Sequence, residues 1–489
     1  YMLTEITKGQ LLAWRLGRGP IPLPFLDRPI AQALAGLTPD LVVRIERTEL
    51  AWSERAPEVR VLGVRLDRSD GTRVLSLPAL SVRLSLRALL RGRIAMRRID
   101  LSGGRLALVR TTEGRVTLGT SGAGDDATAE GPAGLLAALA DQKGTTAEYL
   151  SRIGIHDADL VLDDRLSASA WQVADVDLVV SRHADLLVAS LGAKLALRSG
   201  TVAALRELSL PFSATAKLSL AADGRIGSLA FALEGKNGRI ALVGDTGSPL
   251  PLHSLQAEGT YTGDSGTLEL SSLQAGVGSA RLDSTATAVL RGAGTTIEAR
   301  GDLRALPVAE LQRLWPRGLE AATRHWISRN VRDGVITGCR FALRLPSGSA
   351  SDRPPAPSSI DVAFDFADLT VRYLPALDPL RAVRGSARLT ADRFEARVEA
   401  AEVGNLRVRG GQMAVDLAGK PARATITMDV QGPSAELLAL LDRPPLSIPH
   451  QLGISWSDIG GGSDVHAEIR LPLAQALTAA QVGLSATAE

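Results

Sequence analysis

Six histidines are the first candidates for metal binding or acid-base chemistry, because imidazole does both near neutral pH. They are spread along the whole chain: His156, His183, His253, His325, His450 and His466. None has a second histidine at metal-ligand spacing, so we expect structural roles for them and no metal site.

Carboxylates two residues apart on a strand share one face and could act as an acid-base or metal-binding pair. Asp157 with Asp159 and Asp175 with Asp177 have this spacing, and His466 has it with Glu468. Solvated strand faces produce such pairs routinely. The sequence also contains no GxSxG, P-loop or HExxH motif, so we predict that the chain is not an enzyme.

Cys339 is the only cysteine, which excludes an intrachain disulfide and a thiolate metal cluster. It lies in the strand-like segment CRFALRL, where a buried, inert thiol is favoured over a reactive one. The glycines at 276 and 278 and at 460–462 lack the spacing of a dinucleotide site and are interpreted as turns. No cofactor is predicted.

Composition limits the fold and the classes of partner that the chain can bind. The 489 residues exceed one ordinary core, so several domains or one elongated architecture is needed. The 55 basic and 53 acidic residues are interspersed, which argues against nucleic acid as a partner. Aromatic residues make up only 3% of the chain, so stacking surfaces for bases or sugars are scarce and a glycan-active enzyme is disfavoured.

The elements that must position these side chains follow a period of two, typical of strands with one apolar and one polar face. The clearest examples are residues 80–86, 104–110, 158–164, 193–199 and 216–235. Asp-Gly and Asn-Gly turns separate such segments, so we expect strands that pair antiparallel with their sequence neighbours. The predicted turns lie at residues 69–71, 113–114, 222–224, 236–238, 262–264 and 332–334.

Helical patterns are few. They are predicted near residues 28–37, 133–150, 308–331 and 434–441, with Pro316 breaking or kinking the third. The apolar run at 11–16 is too short to span a bilayer, and the polar start of the chain leads us to expect a fragment cut at both ends.

A sandwich or closed barrel would also use alternating strands. However, one-sided strands continue over more than 400 residues here with few helices to cover them. An apolar face of that extent must be folded around something. We therefore predict a mainly β fold, an elongated, curled antiparallel sheet (a repeating β-groove) with a few short helices.

Three stretches resemble the AsmA superfamily, most closely its YhdP-like branch. The first covers residues 15–34 and 61–119, with Leu89-Leu90-Arg91-Gly92 among its marks. The second, residues 306–346, contains Trp315-Pro316, Trp326-Ile327 and Asp333-Gly334. The third, residues 367–394, has the Tyr373-Leu374-Pro375 and Gly385 pattern.

The resemblance implies a periplasmic lipid-binding groove that moves phospholipid between the inner and outer membranes. It also implies an inner-membrane anchor through an N-terminal helix absent here, and contacts with the outer membrane and envelope proteins. The expected domains are an N-terminal AsmA-like repeat at 1–120, a flexible loop and short helix at 121–149, a groove segment at 150–305, a helix-strand insert at 306–346, a Pro/Ser-rich loop at 347–359 and a further groove segment at 360–489.

The apolar strand positions of the groove are the predicted contacts for phospholipid acyl chains. They are Val82, Leu84, Leu86, Ile94, Met96, Leu106, Leu108, Leu160, Leu162, Leu195, Leu197, Leu218, Leu220, Leu229, Phe231 and Leu233. For any single position, a packed core is at least as probable. The alternative function is an envelope scaffold or assembly factor that acts by edge-strand addition without lipid.

Overall fold

The computed structural model describes most of the chain. The residues it describes are 19–35, 41–53, 56–68, 73–110, 116–119, 146–165, 169–183, 186–200, 205–220, 226–242, 247–289, 295–314, 321–347, 360–372, 377–418, 422–443, 459–472 and 483–488. The chain divides into two compact units. Unit 1 is Tyr1–Ile240 with Ser254–Gly266, and unit 2 is Ala241–His253 with Thr267–Glu489.

Strands dominate the first half. They are β1 (Ile21–Pro22), β2 (Leu41–Arg44), β3 (Arg47–Ser53), β4 (Ala56–Arg68), β5 (Arg73–Leu84), β6 (Met96–Ser102), β7 (Arg105–Arg110), β8 (Val116–Gly119), β9 (Arg152–Asp164), β10 (Ser169–His183), β11 (Leu186–Ser199), β12 (Leu205–Leu220), β13 (Ile226–Leu242) and β14 (Leu250–Thr262). The helices here are α1 (Asp27–Ala35) and α2 (Leu86–Leu89), with 3-10 turns at Pro24–Leu26 and Thr146–Tyr149.

The second half has the same character. Its strands are β15 (Thr267–Val277), β16 (Ala280–Val289), β17 (Thr295–Pro307), β18 (Val331–Arg332), β19 (Val335–Ser347), β20 (Ile360–Val371), β21 (Leu380–Thr390), β22 (Arg393–Val403), β23 (Leu406–Asp416), β24 (Arg423–Pro433), β25 (Gly462–Pro472) and β26 (Gly483–Ala488). Its helices are α3 (Val308–Leu314), α4 (Ala321–Asn330) and α5 (Ser434–Asp442).

Pairing follows the chain, as the turn signals predict. In unit 2 the antiparallel order runs from β15 through β16, β17, β19 and then β20 to β26. In unit 1, β3 to β6 and β9 to β12 pair in the same way. The prediction of a mainly β, curled antiparallel sheet with a few short helices is confirmed.

One junction in unit 1 departs from the expected meander. The edge of β9 pairs in parallel with two strands, first β6 and then β7. β9 therefore lies alongside strands that come two and three strands earlier in the chain. The predicted antiparallel pairing of sequence neighbours holds for β9 with β10 but not for these two pairings.

Bulges with positive φ recur inside the strands. They lie at Asp157, Asp175, Asp368 and Ala382, each at a shift in strand register. Each inserts a residue, so the apolar face switches between odd and even positions: Ile155 and Leu160 of β9 pack in one cluster on either side of Asp157. A bulge also bends its strand and increases the local twist, which curls the sheet.

Other predicted elements have mixed outcomes. The turn at 262–264 is confirmed between β14 and β15, and Asp333 and Gly334 have positive φ at the bend before β19. The turn predicted at 236–238 is wrong, because Asn237 lies inside β13 with φ of 56°. The turns at 69–71, 113–114 and 222–224 fall outside the described residues.

The predicted helices are largely found. The patterns near 28–37 and 434–441 correspond to α1 and α5, and that at 308–331 corresponds to α3 and α4. Pro316 between them is outside the described residues, as is most of 133–150, whose described end forms the 3-10 turn Thr146–Tyr149. None of the described helices is long and apolar enough to cross a bilayer.

Candidate functional site

The apolar face of unit 1 consists of side chains that stand opposite one another on successive strands. One row crosses seven strands, β4, β5, β6, β9, β10, β11 and β12, without a polar residue. Its members are Val59, Val82, Ile99, Ile153, Val180, Ala189 and Ala216. A parallel row is Val61, Leu80, Leu101, Ile155, Leu178, Leu191 and Ala214.

Much of this face is covered. Ile30 and Ala33 of α1 join the strand residues Val61, Val82 and Ile153 in one buried cluster. Ile30 and Val61 are fully buried. This part of the face is a packed core.

The predicted lipid contacts divide between this core and more open positions. Val82, Met96 and Leu218 are buried members of the cluster, and Leu84, Ile94 and Leu229 pack against it half-buried. The remaining half-buried positions are Leu108, Leu160, Leu162, Leu195, Leu197, Phe231 and Leu233. The side chains of Leu86, Leu106 and Leu220 fall outside the described residues.

Register brings two sets of the predicted residues together. Leu106, Leu160 and Leu195 lie in one row that also includes Val173 of β10. Leu108, Leu162 and Leu197 lie in the next, beside Trp171. Two positions are not on strands: Leu86 begins α2, and Ile94 precedes β6.

Unit 2 contains a longer row, which the sequence reasoning missed. It crosses eleven strands, β15 to β17 and β19 to β26, and contains no charged or hydrogen-bonding side chain except the thiol of Cys339. We call this row the apolar ladder: Ala275, Leu282, Leu303, Cys339, Phe364, Ala387, Ala396, Met413, Ile426, Ile469 and Leu484.

The ladder is covered at some positions and open at others. Ala387 packs with Phe366 and with Val308 of α3 in a buried cluster. By contrast, Met413, Ile426 and Ile469 are half-exposed, and among the described residues no buried cluster includes them. An apolar surface of this kind can accept an apolar ligand.

The thiol of Cys339 belongs to this face. It packs, half-buried, beside Leu303 and Phe364. Burial, with a smaller effect from the negative charge of Asp302, raises the pKa of Cys339 to about 11. The thiol is therefore protonated at neutral pH, in keeping with the inert role expected for it.

The opposite face of unit 2 is charged. Arg388 donates two hydrogen bonds to the Asp361 carboxylate, at 2.9 and 2.8 Å, and thereby lowers the pKa of Asp361. Arg344 pairs with Glu298 on the neighbouring strand at 3.0 Å. These exposed pairs add little stability. They do show that the two faces differ sharply in polarity.

A depression of about 670 Å³ lies against the charged face. Its lining takes in the rows of Arg340, Arg388 and Arg397, but not Phe341 or Phe366, which flank the ladder on the apolar face. Five ladder residues also line it: Cys339, Phe364, Ala387, Ala396 and Met413. Its walls are therefore mixed, with arginine, carboxylate and hydroxyl groups beside residues of the ladder strands.

Two of the described histidines form cross-strand pairs on polar faces. His156 Nδ1 lies 2.7 Å from Asp177 and Nε2 lies 3.5 Å from Asp100, which also pairs with Arg98. His466 pairs with Asp429 at 2.7 Å. Within the described residues, no group of three or more His, Cys, Asp and Glu side chains could hold a metal ion. His450 falls outside them.

Comparison with known proteins adds no relative: no family model, curated protein or solved structure matches the chain. The likeness to the AsmA superfamily therefore stays a prediction from the residues that suggest it. The two apolar faces are the candidate site on geometry alone.

Proposed function

We propose that the chain binds phospholipid by its acyl chains along the apolar faces of its sheet. In this proposal it is the periplasmic part of a protein anchored in the inner membrane that moves phospholipid towards the outer membrane. The resemblance to the AsmA superfamily supports the compartment and the anchor. The binding itself is argued from the side chains.

The apolar ladder is the observation on which the proposal rests. Neighbouring strands are about 4.8 Å apart, so eleven strands extend the ladder over roughly 48 Å. Each buried methylene of a lipid tail contributes about 0.8 kcal/mol. Leu, Ile, Met and Ala offer this area without polar groups that would fix a ligand in one place. Such a surface favours weak, repeated binding, as passive sliding requires.

The half-exposed positions are the strongest candidates for lipid contact. A fully buried side chain such as Val82 has no surface left to offer a ligand. Met413 and Ile426 face each other in register on β23 and β24 and retain exposed apolar area. They are the best positions for a test.

The experiment measures lipid bound to the purified chain by native mass spectrometry and by extraction with thin-layer chromatography. The test variant is Met413→Asp with Ile426→Asp. We expect it to lose most of the lipid, since a carboxylate cannot be covered by an acyl chain without a large desolvation cost.

A matched control uses the adjacent positions on the same strands. Gln412→Asp with Thr425→Asp adds the same charge to the polar face, where both side chains are exposed. Lipid binding should be unchanged in this control. Equal lipid in both variants, or no lipid on the wild-type chain after extraction from membranes, would reject the groove and leave the scaffold function.

A further inference from the structure

The connection between β5 and β6 presents an apolar side chain to solvent. Leu90 is 89% exposed, the largest exposure among the described large apolar residues. We call residues 85–95, which include α2, the arginine loop. Its sequence is SLRALLRGRIA.

The loop is firmly built at its base. Ser85 donates its backbone N–H to the Ala95 carbonyl at 2.8 Å. The Ala88 carbonyl accepts the N–H groups of Arg91 and Arg93, each at 2.9 Å. Ala88 and Ala95 are fully buried. The exposure of Leu90 therefore belongs to a closed turn held by its own hydrogen bonds.

Positive charge surrounds Leu90, which we call the tip of the loop. Residues 71–99 contain seven arginines and no aspartate or glutamate. Arg87, Arg91 and Arg93 are exposed on either side of Leu90. Arg91 donates a hydrogen bond to the Tyr149 hydroxyl at 3.1 Å. The carboxylate of Glu148, the residue before Tyr149, also attracts the Arg91 guanidinium.

The strands behind the loop repeat the pattern. Arg83 and Arg98 stand directly opposite each other on β5 and β6, and Arg98 stands opposite Arg152 on β9. Like charges in register repel one another. Asp100 compensates Arg98. A row of arginines behind an arginine-rich tip makes this end of unit 1 attractive to anions.

We propose that the arginine loop docks on a bilayer that contains anionic phospholipid. Leu90 enters the region between headgroups and acyl chains, and the guanidinium groups of Arg87, Arg91 and Arg93 bind lipid phosphates. The apolar tip favours a membrane over nucleic acid, because the phosphate backbone offers nothing to an exposed leucine. This surface is separate from the apolar ladder and does not depend on it.

Vesicle flotation tests the proposal with the whole 489-residue chain. One set of vesicles is phosphatidylcholine alone, and in the other phosphatidylglycerol replaces part of it. We expect flotation with the anionic vesicles and release by salt, because the attraction is screened within a Debye length. The variant Arg87→Ser with Arg91→Ser and Arg93→Ser should weaken binding on the order of a hundredfold, about fivefold per arginine.

The tip is tested separately. Leu90→Ser should weaken binding about tenfold, the effect of losing part of one leucine transfer, and should leave the unfolding midpoint unchanged. The matched controls are Leu186→Ser, an exposed leucine elsewhere in unit 1, and Arg300→Ser with Arg304→Ser and Arg397→Ser, which removes three exposed charges from unit 2. Both controls should float like the wild type.

Three results would overturn the proposal: equal binding to neutral vesicles, undiminished binding by the loop variants, or tighter binding to a labelled single-stranded oligonucleotide than to anionic vesicles. The lipid measured in the ladder experiment is a separate readout. A chain that docks without carrying lipid, or carries lipid without docking, tells the two proposals apart.

Discussion

The row of unit 1 that begins at Val59 and the ladder of unit 2 are built alike but differ in burial. In unit 1, α1 lays Ile30 and Ala33 into the same cluster as Val61 and Val82, and these strand residues are buried. In unit 2, Val308 of α3 joins the buried cluster of the ladder residue Ala387, and Leu437 of α5 joins a second cluster at Leu406, outside the ladder. The ladder residues Met413, Ile426 and Ile469 remain partly exposed.

The difference teaches that alternation alone does not define a binding face. The same pattern of apolar residues on successive strands gives a packed core beneath α1 and partly exposed side chains at Met413 and Ile426. Helices are one cause of burial, but Ala158, Val176 and Ala193 form a buried cluster with strand residues alone, so the exposure of each position decides whether it can take a ligand.

The largest expected effect comes from the same charge placed in each region. Val82→Asp buries an unpaired carboxylate at a position that is 1% exposed, so we expect a loss of several kcal/mol or an insoluble chain. Met413→Asp, at a half-exposed position, should cost about 1 kcal/mol. Urea unfolding followed by circular dichroism compares them. Similar midpoints for the two variants would remove the distinction between covered and open regions.

Cys339 serves as a native reporter within the ladder. Because its pKa is raised to about 11, the reactive thiolate is scarce at pH 8 and becomes abundant only as the pH rises through that value. Alkylation by iodoacetamide should be on the order of a hundredfold slower than for a free thiol of pKa about 8.5. Mass spectrometry measures the rate.

Added lysophospholipid should slow this alkylation further, and delipidation should speed it, if lipid covers the ladder. The urea-unfolded chain supplies the rate for the uncovered thiol. A rate that is indifferent to lipid would place the ligand elsewhere.

A smaller effect is expected at a glycine of β4 that has positive φ. Gly63 has φ of 64°, and an added Cβ would lie 2.3 Å from the Glu46 side chain. Gly63→Ala should therefore cost about 1–2 kcal/mol of unfolding free energy. Gly192→Ala in β11, where an added Cβ meets nothing within 4 Å, should be neutral or slightly stabilising. A larger loss at Gly192 would argue against positive φ and crowding by Glu46 as the reason for the cost at Gly63.

Much of the β architecture follows from the sequence because burial of one strand face leaves a period of two. The predicted strands at 158–164 and 193–199 are parts of β9 and β11. The interruption of that period was harder to foresee. Asp157 and Asp175 resemble ordinary polar-face residues, yet each occupies a bulge that keeps the following apolar residues on the same face.

The remaining errors have local causes. The alternation of Leu84 and Leu86 predicts a strand, but the chain turns into α2 where Ser85 Oγ accepts the Ala88 N–H at 3.4 Å. The Asn237-Gly238 pair predicts a hairpin turn because such turns need positive φ, but Asn237 adopts that φ within β13. The ladder could not be predicted, because the register between strands determines which residues stand opposite one another. Small residues such as Ala396 also give a weak hydrophobic signal.

The parallel junction of β9 has a consequence for how unit 1 folds. Most strand pairs close over a short turn, so they can zip up locally and rapidly. Ser151, by contrast, must find the Arg97 carbonyl 54 residues earlier in the chain. Closing that loop has an entropic cost before any contact compensates it. Docking of β9 onto β6 and β7 is thus the step expected to limit the folding rate of unit 1. Until β9 docks, the edges of β6 and β7 would be open to aggregation.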